Sequence, residues 1–167
     1  PRGFVMSALL RLSALPLLCA LSLPAQAQLL SQKSISAAMA VTMVQTAIDT
    51  CKTNGFAVSA TVVGRAGEVI AQVRGDGTGP HTVENSFRKA YTSRTFRISS
   101  GEWTKNLANN PTRGPQFLTN VIALQGALPI KVGEETIGAL GVSGAPGGEK
   151  DEVCVQAALD KVADQLK

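Results

Sequence analysis

Aromatic side chains are scarce, at 4% of 167 residues with one Trp and one Tyr. Val, Leu, Ile and Ala must therefore build the interior. At 44% hydrophobic residues there are enough of them for one ordinary domain. Histidine is scarcer still: His81 is the only one. With residues 1–27 set aside, one imidazole and two cysteines cannot supply the four ligands of a structural zinc site. Charge is thin as well. The chain has 16 basic and 12 acidic residues, and setting aside residues 1–27 removes Arg2 and Arg11 and no acid, which leaves +2. That is too little for a nucleic-acid partner, whose phosphates demand a basic face. Beyond residue 27 there is no internal repeat, linker or low-complexity tract.

The longest apolar run, from Leu12 to Leu23, is too short to cross a bilayer comfortably. It reads as part of a leader. "MSALLRLSALPLLCALSLPAQAQ" opens at Met6, carries Arg11, continues through the apolar run and closes on Ala25 and Ala27, the small residues of a signal-peptidase site. Residues 1–27 are thus expected to be leader residues and a secretory signal, and residues 28–167 a single domain. The product is expected to be periplasmic or secreted, with no membrane attachment after cleavage. Export leaves Cys51 and Cys154, a candidate disulfide in an oxidising compartment. They fall near the end of the first helix and the start of the last, ends that meet if those helices pack antiparallel on one side of a sheet. The other reading is two buried core thiols.

Periodicity gives the order α-β-β-α-α-β-β-β-α. Ala37, Val41, Val44, Ile48 and Cys51 make one helical stripe, ended by Asn54-Gly55. "FAVSATVV" (56–63) and "VIAQVR" (69–74) read as strands joined by the turn "GRAGE". Thr82 is placed to cap a helix whose apolar face is Val83, Phe87, Ala90 and Tyr91. Ser99-x-x-Glu102 is a capping box for a shorter helix with Trp103 and Leu107. "VIALQ" (121–125), "IKV" (130–132) and "TIGALGV" (136–142) complete five strands, and a last helix runs from about Asp151 with Val155, Leu159, Val162 and Leu166. Short links between strands favour antiparallel pairing, so the expected class is α+β, a five-stranded antiparallel sheet flanked by helices.

Several chemistries are excluded by spacing. Gly75-x-Gly77-x-Gly79 is not a dinucleotide loop and has no phosphate-loop lysine, so no nucleotide cofactor is expected. "GVSGA" (141–145) ends in Ala145 where a nucleophile elbow needs Gly. "SFRK" (86–89) matches Ser-x-x-Lys without the companion motifs of that enzyme class. The two glycine loops lie before helix starts, whose free N–H groups bind carboxylates and phosphates, though tight strand-to-helix turns explain them equally well. His81 is open to three readings: an iron or cofactor ligand, a proton carrier, or a solvated turn residue.

Three segments carry a family resemblance: "GFAVSATVVGRAGEVIAQVRGDG" (55–77), "RKAYTSRTF" (88–96) and "GALPIKVGEETIGALGVSGAPGGEKDEVCVQAAL" (126–159). Over roughly residues 31–167 the chain resembles the GlcG/HbpS-like haem-degrading domain found at the C-terminus of PduO-type proteins. One departure is Gly64, where family members often place an Asp. The resemblance implies an antiparallel sheet of about five strands between helices, a homo-oligomer, and haem binding in some members, including secreted ones linked to redox sensing. On that footing His81 is the candidate axial ligand of haem iron. Arg74 and Lys89 are candidates for pairing with propionates, and Ser143 and Gly144 for lining the pocket. The competing reading is an enzyme or accessory subunit acting on a small organic acid in glycolate- or alcohol-type metabolism, with His81 as base and Arg74 as carboxylate clamp.

Overall fold

A computed structural model describes residues 28–111 and 114–167. The expected signal segment and Cys19 lie outside the described residues. Residues 32–167 form one compact unit, to which every element below belongs.

Helix α1 (Ala37–Thr53) starts where the Ser36 hydroxyl accepts a hydrogen bond from the Met39 amide, and stops at Asn54, followed by Gly55 at φ +82°. Its buried stripe is Ala40, Met43, Val44, Ala47 and Cys51, rotated from the expected one, and Val41 is 56% exposed. Both stripes have helical period. The one with the smaller side chains is buried because α1 packs closely on α4 (Gly148–Val162). That helix begins three residues before the expected Asp151 and buries Cys154, Val155, Ala158 and Val162.

The sheet is antiparallel but has four strands, not five, in the order β2-β1-β4-β3: β1 is Ser59–Val63, β2 Val69–Arg74, β3 Ala127–Val132 and β4 Glu135–Ser143. The strand expected at residues 121–125 is absent. Val121 is instead buried with Trp103 and Leu107 of α3 (Ser100–Ala108). The backbone of this segment is bonded by side chains of α2 (His81–Phe96): Ile122 N–H donates to Thr92 Oγ1 and Arg88 Nη2 donates to the Val121 carbonyl. Strand β3 starts at Ala127 and takes in Pro129, which an edge strand tolerates because no ladder partner needs its missing N–H.

The central strands are buried on both faces, and the faces differ. Ala60, Val62, Leu140 and Val142 join the cluster beneath α1 and α4. On the other face Ser59 and Thr61 meet α2 through hydroxyl pairs with Thr82 (2.8 Å) and Ser86 (2.7 Å). Gly141 lets α2 approach closely: a Cβ there would lie 2.3 Å from the Ser86 carbonyl oxygen. So α2 buries Thr82, Ser86, Lys89, Ala90 and Ser93, while the expected apolar face of Val83, Phe87 and Tyr91 is only half-buried. Small polar groups win here because the helix–sheet gap is narrow and every hydroxyl in it finds a partner.

Two links tie the layers. Cys51 of α1 and Cys154 of α4 are bonded, with Cα atoms 5.5 Å apart and a sequence separation of 103, a loop worth about 4–5 kcal/mol in the chain-entropy view. Across the sheet's end, Lys89 Nζ donates to Asp151 Oδ2 at 2.8 Å and to the Val142 carbonyl at 3.1 Å, while Asp151 Oδ1 accepts the Ala145 N–H at 3.0 Å. Both side chains are almost fully buried. Burial lifts the Asp151 carboxyl above its ordinary pKa and the Lys89 charge opposes that lift.

Removing Lys89 takes away the opposing charge, so Asp151 rises further. A carboxyl raised in the folded state stabilises below its unfolded pKa and loses that contribution as pH rises through the folded value. Lys89→Met is expected to destabilise the fold by about 3–5 kcal/mol at neutral pH, with a smaller deficit under mild acid, as urea unfolding at two pH values will show.

Candidate functional site

The chain between β2 and α2 is held by Arg74. Its Nε donates to Thr78 Oγ1 at 3.2 Å and its Nη2 to the Thr78 carbonyl at 2.7 Å, while Thr78 Oγ1 donates back to the Gly75 carbonyl at 3.0 Å. Gly75 is required for close approach. Its N–H bonds the Val58 carbonyl, and a Cβ would sit 2.2 Å from that oxygen. Gly77 supplies the turn at φ +76°.

Helix α2 starts two residues earlier than a Thr82 cap implies. Pro80 already has helical torsions (φ −62°, ψ −28°), so it occupies the cap position with no side-chain cap bond. Thr82 lies inside the helix and donates to the Gly79 carbonyl instead of accepting a backbone N–H. His81 is therefore the first helical residue. It is exposed, with its ring against Gly79.

Two grooves flank β2. The larger, about 450 Å³, lies between α1 and the end of β2, with Ile48, Phe56, Val58 and Val73 as apolar lining and Lys52 and Arg74 among its charged residues. The shallower, about 380 Å³, is lined by Val69, Gln72, Pro80, Val83, Glu84 and Phe87. Pro80, Val83 and Glu84 flank His81 in sequence, so this apolar surface adjoins the first turn of α2.

The residues singled out from sequence do not converge on one cavity. Arg74 lines the larger groove and His81 lines neither. Lys89 is 4% exposed and faces Asp151. Ser143 is buried at the end of β4, opposite Ser59. Gly144, at φ +140°, packs on Ala57 and Val58, behind the wall of the larger groove. No side chain caps the start of α4; Asp151 takes the Ala145 N–H just before it and Glu149 folds over Gly147. Tyr91 packs on Gly67 and Phe87, and Met43 is wholly buried.

Sequence reading missed Asp151 as the partner of Lys89. A usable signal was present: Thr82, Ser86, Lys89 and Ser93 recur at steps of four, three and four, which marks a polar helix face with a shared environment. It also missed the charged residues Asp49, Lys52 and Asp76 of the larger groove, which come from two distant segments. The carboxylate that Gly64 lacks has a counterpart. Glu68 folds back so that its Oε2 accepts the Ala66 N–H and its Oε1 lies 2.1 Å from where a residue-64 Cβ would be. Among the described residues no group of three or more His, Cys, Asp and Glu is placed to hold a metal ion, and no helix is long and apolar enough to cross a membrane.

Comparison with known proteins bears on what this arrangement serves. No curated protein matches the chain. Among solved structures, a double mutant of Streptomyces reticuli HbpS is 28% identical with a TM-score of 0.77, over 84% of this chain and 97% of that one. Klebsiella pneumoniae protein ORFY is 26% identical with a TM-score of 0.74, over 83% and 97%. A PduOC–haem complex shares the fold, at 19% identity and a TM-score of 0.69 over 75% and 93%. The family model for haem-degrading HbpS-like proteins matches residues 35–160, and the chain belongs to that family.

Proposed function

We propose that this protein binds haem on the α2 face, with His81 as the iron ligand. One observation carries the reading beyond family membership: the sole imidazole of the chain is exposed on the first turn of α2, beside the open apolar groove of Val69, Pro80, Val83 and Phe87. The donor chemistry fits. A neutral imidazole is a common axial ligand, and an apolar shelf suits the porphyrin face. Haem iron, when bound, supplies redox and gas-ligand chemistry. The chain's own part is to present one nitrogen donor and to keep water from one side of the macrocycle. Arg74, the propionate candidate of the sequence, lines the other groove and is bonded to Thr78, so it has no part in this reading. Lys89 has its charge engaged inside the fold. A reaction on a small organic acid has less support, because such chemistry needs His81 and Arg74 at one cavity and His81 does not line the groove that Arg74 lines.

Membership of the haem-degrading HbpS-like family supports a haem-related ligand. The Cys51–Cys154 bridge supports a periplasmic or secreted location, since such bonds persist in oxidising compartments. The homo-oligomer that the family resemblance implies is part of the same reading.

Hemin added to the purified protein is expected to give a Soret band that His81→Ala removes or shifts. An identical spectrum and affinity in the variant rejects His81 as ligand. For the exported protein, intact mass is expected to place the first residue at Gln28, thiol titration after denaturation without reductant to find no free cysteine, and light scattering to give a multiple of the monomer mass.

A further inference from the structure

The haem reading leaves the larger groove unused. Its volume of about 450 Å³ suits a small organic molecule. Ile48, Phe56, Val58 and Val73 give it an apolar lining. Its charged residues come in two signs: Lys52 and Arg74 are cationic, Asp49 and Asp76 acidic. The walls are braced. Gly75 N–H bonds the Val58 carbonyl at 3.1 Å, Arg74 is fixed by its two bonds to Thr78, and Cys51, next to Lys52, is bonded to α4. Lys52 and Asp76 are in no salt bridge among the described residues. The backbone of both walls is thus fixed before a ligand arrives.

A simple carboxylate in this groove would meet Asp49 and Asp76, and a simple amine would meet Lys52 and Arg74. A ligand carrying both charges turns each of these repulsions into a contact with the opposite sign. We infer that the groove between α1 and β2 binds a small zwitterion with an apolar substituent, of the α-amino acid class. Lys52 and Arg74 take the carboxylate, Asp49 and Asp76 the ammonium, and the apolar lining takes the side chain. None of these residues lines the α2 groove, so the inference stands apart from the haem reading.

Calorimetric titration of the full chain with L-leucine, isocaproate and isoamylamine tests it, because the last two each lack one charge. Leucine is expected to bind about tenfold or more tightly than either, since each analogue leaves one pair of groove charges without its partner. Asp76→Asn is expected to remove the advantage over isocaproate, and Lys52→Gln the advantage over isoamylamine. Both sites are exposed, so folding is preserved and is checked by circular dichroism. No heat from leucine up to about 10 mM, equal affinity for isocaproate, or unchanged selectivity in both variants overturns the inference. Hemin titration with leucine present is expected to be unchanged, so failure of one reading does not imply failure of the other.

Discussion

The Lys89–Asp151 pair is the constraint around which the two faces of the sheet are arranged. It joins α2, on one face, to α4, on the other, around the end of β4, whose Val142 carbonyl is a third partner. A buried ion pair of this kind is weak evidence for net stability, because desolvation offsets much of the attraction. What it imposes is register. Lys89 reaches Asp151 and Val142 together only if α2 lies at one height along β4, and the wrong height strands two charges in the interior. The chain leaves room for it at Gly126, where a Cβ would sit 2.7 Å from Lys89 Nζ.

From that register follows the character of the α2 face. The helix is drawn so close to β1 and β4 that Gly141, Ala90, Ala139 and hydroxyl side chains fill much of the gap, with Val63 beside them. The larger apolar residues of α2 are turned outward toward the β2 edge, where Val83 and Phe87 form the shelf beside His81. A binding surface thus arises from a packing rule. On the opposite face, α1 and α4 meet the sheet through an ordinary apolar cluster, and the disulfide fixes the end of α1 that walls the larger groove.

Local chemistry was legible in the sequence where it is self-contained. The Ser99 cap, the Gly55 stop of α1, the hairpin between β1 and β2 and the exposed position of His81 each depend on a few neighbouring residues. Legibility failed where a distant segment decides. Residues 121–125 have strand composition, but Arg88 and Thr92 claim their backbone groups. Lys89 looks like a surface cation until Asp151, 62 residues later, is brought to it. The larger groove was hidden because α1 gives Lys52 and the loop after β2 gives Asp76, and no local pattern links them.

The bridge between Cys51 and Cys154 closes most of the domain into a covalent ring of 103-residue separation. A protease that cuts once inside that ring, for instance in the loop around the exposed Phe117 and Leu118, opens the chain without dividing it. Both fragments stay attached, one carrying α1, β1, β2 and α2 and the other β3, β4 and α4. The Lys89–Asp151 contact keeps its partners within reach. Damage at that loop therefore leaves a nicked but still assembled molecule.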